Sequence, residues 1–352
     1  MKKTTGSVIA SPAIVALVIA ALASSSLYAN EASNADATAI SSTAKAIITQ
    51  QVMPKTASEW SYIAQDTNQS DSERIVALEA LSTSPSQNAL VAVARGLKDP
   101  SARIREAAIV AAKPYQLEHR WRLVSPLLID EDRIVRITAA ANLVRDYSTL
   151  DEMQQGKIQN ALTELESYLE VQPDEASQLL LADVYRWQTL WDKASELYHQ
   201  VLSDDQRNVQ AWLNLADNYR GQGKDKQAIN VLDQAMMIVP SNAALHYSKS
   251  LALVRLEAKA QAAKEIQIAA DMAVNNSYYW YLNGVLQEEF DIDISTASFE
   301  KAYKISGDPV QLYAVCDMYI RYDNTKADQC LEELAKIAPP TVIQQLEAKR
   351  PS

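Results

Sequence analysis

The chain has 352 residues, about half of them apolar, enough to bury a sizeable core in two or three ordinary domains or in one repeat array. Seven glycines in that length disfavour glycine-rich phosphate loops and multi-turn β architectures, and abundant Ala, Leu, Gln, Glu and Lys favour helix, so the fold class reads as all-α. A formal charge of −11 opposes long-range attraction to nucleic acid or anionic lipid and points to basic or apolar partners.

Residues 1–29 read as a signal peptide. Lys2 and Lys3 form a basic start, Val8 to Ala23 is an apolar run, and Leu27-Tyr28-Ala29 offers a cleavage site, although Leu27 is larger than the small residue preferred there. An uncleaved anchor is the alternative, but Pro12 and Ser24-Ser25-Ser26 leave the run short of the ~20 residues that a span needs. No cysteine follows to mark a lipoprotein. This reading predicts a periplasmic protein with no membrane insertion after cleavage, and loss of Lys2 and Lys3 takes its charge from −11 to about −13. Residues 30–55 read as a flexible leader with a short helix, in which Ile40, Ala44, Ile47 and Gln51 share a face before Pro54 stops it.

From residue 56 to 150 the pattern is paired helices with a period of 31. Arg74, Arg105 and Arg136 each open an Ala-rich segment, and Asn68, Asp99 and Asp130 precede them at a constant offset. The expected pairs are 58–65 with 71–81, 87–97 with 102–112, and 120–129 with 133–146, with Pro126 a source of a kink in the fifth helix. The arginines read as a structural ladder, each turn Asp pairing with the arginine of its own or the next repeat; an anion-binding stripe is the rival. Residues 151–156 read as a separator between arrays, with 158–171 already a second helix of a repeat.

From residue 175 a period of 34 takes over: Ala182, Tyr185 and Ala194 recur as Ala216, Tyr219 and Ala228. Two solenoid arrays therefore share the chain, 56–150 and 151–340, followed by a C-terminal tail, 341–352. Contacts in such arrays are local, which predicts an extended monomer or weak oligomer. Cys316 and Cys330 are an even, isolated pair, which in an exported chain reads as one disulfide rather than a redox or metal site.

Catalytic constellations are missing. The three histidines, His119, His199 and His246, fall on different repeats without metal spacing, and there is no nucleophile elbow, Walker loop, dinucleotide fingerprint or haem attachment sequence. The sequence predicts no enzyme, no cofactor, no metal and no nucleic acid partner.

Asp99-Pro-Ser-Ala-Arg-Ile-Arg-Glu-Ala-Ala108 and its counterpart at 130–140 resemble HEAT repeats, including the short PBS-lyase-like variety. Trp212, Leu215, Ala216, Tyr219, Ala228, Leu232, Ala235 and Pro240 resemble the full tetratricopeptide repeat motif, with weaker units before and after. That resemblance implies a superhelix whose first helices line a concave groove. Carried onto this sequence, the groove positions are Asp183, Arg186 and Trp187, then Gln210, Asp217 and Arg220, then Tyr247 and Arg255, then Tyr278, Tyr281 and Glu288, and finally Tyr313, Asp317 and Arg321. This Tyr-rich, mixed-charge set has the composition of a protein interface, with packing between repeats the alternative role for each tyrosine. The carboxylate clamp of the family is absent apart from Asn214. The order of arrays, with 242–247, 251–255 and 279–285, looks like the extension of some exported multihaem c-type cytochromes, here without haem motifs. The resemblance implies an exported scaffold for a protein or peptide, such as a multihaem cytochrome or its assembly machinery. A cell-envelope assembly factor, for peptidoglycan or outer-membrane proteins, is the alternative.

Overall fold

A computed structural model describes residues 55–351, and the stretches read as a signal peptide, its cleavage site and a leader helix lie outside them. Among the described residues there are only helices and connecting turns, in two compact units that meet in sequence at Gln206 and Arg207. The all-α solenoid of helix hairpins is the fold.

In the unit ending at Gln206 the helices are α1 (Ala57–Gln65), α2 (Asp71–Ser82), α3 (Gln87–Gly96), α4 (Ala102–Ala111), α5 (Leu117–Val124), α6 (Arg133–Leu143), α7 (Glu152–Glu170), α8 (Glu175–Trp187) and α9 (Trp191–Asp204). The first two starts are capping boxes: Thr56 and Ser70 accept from the amides of Glu59 and Glu73, whose carboxylates bond back to the cap amides. Small residues set the helix spacing. A β-carbon on Gly96 would lie 2.9 Å from that of Ala108, so α3 and α4 approach as closely as these side chains permit.

The fifth expected helix is interrupted. It begins at Leu117 and tightens into a 3₁₀ segment, Ser125–Ile129, around Pro126, whose missing N–H removes one α-helical bond. Likewise α6 ends at Leu143 and continues as 3₁₀ turns to Thr149. The separator read at 151–156 is instead the first turns of α7: Asp151 and Gln154 form a capping box, and Gly156 has nothing within 4 Å of where its β-carbon would be, so it sits in the helix without packing consequence.

The arginine ladder resolves into a repeating bond pattern. Each turn aspartate gives its carboxylate to the arginine of the preceding repeat and its carbonyl to the arginine of its own. Arg74 Nη2 donates to Asp99 at 2.5 Å, and Arg105 donates to Asp130 through Nη2 at 2.7 Å and Nε at 2.9 Å. Arg105 Nη1 donates to the Asp99 carbonyl at 2.9 Å and Arg136 Nη1 to the Asp130 carbonyl at 2.7 Å. Where the series runs out, Glu164 on α7 takes Arg136 at 2.8 Å. Asn68 stands outside the pattern, since Arg74 Nε donates to the Ala64 carbonyl instead. Arg74 and Arg105 are buried and committed to these carboxylates, which removes the anion-stripe reading for them.

The unit from Arg207 holds α10 (Val209–Gly221), α11 (Asp225–Ile238), α12 (Ala243–Arg255), α13 (Lys259–Met272), α14 (Ser277–Gln287), α15 (Ile292–Ser306), α16 (Pro309–Arg321), α17 (Ala327–Leu334) and α18 (Pro340–Glu347). Odd and even helices alternate as hairpins, with Leu215, Ala216, Leu232, Ala235, Leu245, Ala262, Ile266 and Ala302 fully enclosed. Gly284 is one close approach: a β-carbon there would lie 2.8 Å from the Phe299 ring of α15. Cys316 on α16 and Cys330 on α17 have Cα atoms 5.5 Å apart with their sulfurs in bonding contact. The stretch read as a tail contains α18, which docks Val342, Ile343 and Leu346 onto the cluster around α16.

The turns inside four of the hairpins share a left-handed residue. It is Thr189 (φ 62°) between α8 and α9, Gly223 (71°) between α10 and α11, Glu257 (58°) between α12 and α13, and Asp323 (52°) between α16 and α17. Only Gly223 adopts this conformation without steric cost.

Candidate partner-binding wall

The residues assigned to the wall lie on the first helices of the hairpins and fall in two places. In the unit ending at Gln206, α8 carries Asp183, Arg186 and Trp187. The Asp183 carboxylate accepts from Arg186 Nη2 at 3.1 Å and from the Tyr198 hydroxyl at 2.5 Å, while Arg186 Nε donates to the same hydroxyl at 3.0 Å. Burial pushes the Tyr198 phenol far above its ordinary range. Trp187 is half-buried, with the guanidiniums of Arg145 and Arg186 each 5.7 Å from its ring centre.

In the unit from Arg207 the charged members are again satisfied within the fold. Asp217 pairs with Arg220 one turn on at 2.7 Å, and Arg255 Nε donates to Asp225 of the preceding hairpin at 2.7 Å. Gln210 is exposed and donates to Asn214 at 2.7 Å. Asp317, read as a wall residue, is 3% exposed. Its carboxylate is enclosed between Arg321 Nε at 2.7 Å and Lys349 Nζ at 2.6 Å, just beyond α18, so it anchors the C-terminal segment and is not a contact surface. Arg321 reaches on to Glu288, which also accepts from the Tyr322 hydroxyl at 3.0 Å. Burial opposes the charge on Arg321, but the Glu288 and Asp317 carboxylates outweigh it and raise its affinity for its proton.

The tyrosines behave differently. Tyr247 on α12 stacks on Tyr279 of α14 with ring centres 4.9 Å apart and meets Tyr278 edge-on at 6.1 Å. Tyr281 meets Phe299 edge-on at 5.4 Å, and Tyr313 lies 5.7 Å from Lys349 Nζ. Tyr247, Tyr278, Tyr281 and Tyr313 are all half-buried: one part of each ring joins the core clusters and the rest faces outward. Burial raises Tyr247 and Tyr279, the latter to about 12, so both are neutral at physiological pH. Tyr279, Asp225, Tyr198 and Lys349 are members that sequence reasoning missed. The first adjoins Tyr278 and was findable; the others join the site only through partners in separate helices.

The charged side chains of the wall are engaged with one another or with neighbouring helices, and the half-buried tyrosine rings are its aromatic part. Among the described residues no group of three His, Cys, Asp or Glu side chains is placed to hold a metal, and no helix is long and apolar enough to cross a membrane.

Solenoids of helix hairpins as a class offer extended surfaces of the kind used in binding. Residues 188–252 match the tetratricopeptide repeat family model. Similar solved structures include a crystal structure of MamA (20% identity, 48% of this chain and 95% of that chain, TM-score 0.39). YrrB, described as a TPR protein with an unusual peptide-binding site, is 20% identical over 53% of this chain and 98% of that chain, TM-score 0.41. Yeast Tom70 is 12% identical over 81% of this chain and 65% of that chain, and at a TM-score of 0.54 it shares the fold. No curated protein matches the sequence.

Proposed function

We propose that this chain is a non-catalytic scaffold that is exported to the periplasm and binds another protein or peptide on the tyrosine wall of α12, α14 and α16. One observation carries the reading: the charged wall residues neutralise one another in place, while Tyr247, Tyr278, Tyr281 and Tyr313 keep part of their rings outward. Tyrosine supplies large contact area with little side-chain entropy to lose, which suits it to anchoring a partner. The basic start and apolar run of residues 1–29 support export, and the juxtaposed Cys316 and Cys330 suit a structural disulfide in an oxidising compartment. Residues 56–150 are read as a HEAT-type array from their period of 31 and the arginine ladder. The order of arrays favours a multihaem cytochrome, or the machinery that assembles one, as partner.

The test is site-specific photocrosslinking in the cell envelope. A benzophenone side chain at Tyr278 or Tyr313 is expected to capture one protein, and the same group at Met237, 85% exposed on α11, none. Haem staining of the captured band identifies a cytochrome. An unstained band acting in peptidoglycan or outer-membrane protein biogenesis makes the chain an envelope assembly factor. Equal capture at all positions, or none, refutes the wall.

A further inference from the structure

Four cations of this acidic chain gather around Arg186 and Trp187, wall residues of α8. Lys113 lies between α4 and α5, Arg120 on α5, Arg145 in the 3₁₀ turns after α6, and Arg186 at the end of α8, all within the unit ending at Gln206. Two carboxylates serve these four cations, and both are already engaged. Asp146 pairs with Arg120, and Asp183 accepts from Arg186 and the Tyr198 hydroxyl. Among the described residues Arg145 makes no hydrogen bond or ion pair, only its approach to the Trp187 ring at 5.7 Å, and Lys113 likewise has no side-chain partner. Arg120 is 7% exposed and still leaves its buried Nε without an acceptor. Burial, then the like charges of Arg120 and Arg186, hold Arg145 below the ordinary arginine range; burial and Arg145 do the same to Lys113. Arg145 is the guanidinium of the three that no carboxylate bonds, and it sits part-buried among like charges, so the arrangement suits a missing anion.

We propose that Arg145, with Lys113 and Arg186 beside Trp187, is a docking site for the carboxylates of an acidic peptide segment. A guanidinium fork matches a carboxylate bidentately, and an adjoining indole gives the backbone and methylenes of such a segment an apolar surface. Arginine and tryptophan are both among the residues enriched at energetically dominant interface positions. Binding here does not depend on the tyrosines of α12, α14 and α16. It assigns to an otherwise acid-repelling protein one acidic class of partner sequence, through local charge opposed to the net charge.

The experiment is fluorescence anisotropy of a labelled hexaglutamate peptide titrated with the whole exported chain at low salt. Hexaglutamine is the neutral control. Arg145→Gln is expected to weaken hexaglutamate binding about tenfold or more, the usual weight of a hydrogen bond to a charged group. Arg122→Gln, which removes an exposed cation from α5 and changes the net charge equally, is expected to leave it within about twofold. Thermal melting supplies the control for folding: Arg145→Gln relieves repulsion in the free protein, so its Tm is expected to stay level or rise. The proposal is overturned by no binding of hexaglutamate, by equal weakening in both variants, or by a lowered Tm for Arg145→Gln. Displacement of the peptide by inorganic phosphate at equal concentration overturns the peptide assignment in favour of a small-oxyanion site.

Discussion

Replacing Arg105 by methionine tests whether the ladder between α2, α4 and α6 is a structural spine. The guanidinium makes two bonds to the Asp130 carboxylate and two to the carbonyls of Asp99 and Pro100, with both charged side chains more than nine-tenths buried. Arg105→Met leaves Asp130 enclosed with one amide donor, that of Asp132 at 2.9 Å, and strands two carbonyls. Breaking one side of a buried pair costs about 3–5 kcal/mol, whereas replacing both partners with apolar residues of similar volume is often neutral. At about 2–4 °C per kcal/mol for a unit of this size, the single variant is expected to lose about 6–20 °C by circular dichroism. The double variant, Arg105→Met with Asp130→Leu, is expected to recover most of that loss. The pH dependence has a definite sign. Burial tends to raise the Asp130 pKa, but its hydrogen bonds from Arg105 and the Asp132 amide and the charges of Arg105 and Arg136 bring it below the ordinary value. A depressed carboxylate contributes stability that is present above its unfolded pKa, about 3.9, and is lost as pH falls through the folded one. Arg105→Met is therefore expected to flatten the acid limb of the stability curve as well as to lower it. A cost under about 1 kcal/mol, or a double variant no better than the single, refutes the spine.

Alkylation of protein isolated without reductant from an oxidising compartment is expected to find no free thiol at Cys316 or Cys330, and removing both is expected to cost about 3 kcal/mol by loop entropy; two alkylated cysteines sink this reading. Gly284→Ala pushes a methyl into the Phe299 ring, which Tyr281 meets edge-on, and denaturant titration should show a loss of about 1–3 kcal/mol. Asp317→Asn withdraws the charge that Arg321 and Lys349 share; a loss of about 3 kcal/mol is expected, with faster tryptic release of the segment carrying α18.

The parts of the fold that were legible in the sequence are those written in local spacing. Periods of 31 and 34 put the helices within a few residues of their places because each hairpin buries its small residues against its own neighbour. Asp151–Gly156 misled because polar residues and a glycine resemble a loop, while the deciding feature was the reciprocal cap of Asp151 and Gln154. The residues after Pro340 carry too few apolar side chains to show a period, and only the enclosed Leu346 and the Lys349–Asp317 contact betray docking. In the wall, residue types were readable but not their engagements: Arg255 finds Asp225 and Arg321 finds Glu288 across separate helices, which spacing within one helix does not encode. Arg145 was not legible for the same reason, since its neighbours come from three other segments: the α4–α5 connection, α5 and α8.

The left-handed turn shows that this protein copies a shape more faithfully than the residue best suited to it. Thr189, Glu257 and Asp323 hold a conformation that Gly223 adopts freely, each at a cost of about 1 kcal/mol. Three of these four hairpins thus carry correctable flaws at matching addresses. Writing the second hairpin's glycine into the other three offers a graded series of more heat-resistant proteins with one recognition surface, in which heat tolerance and partner affinity can be adjusted separately.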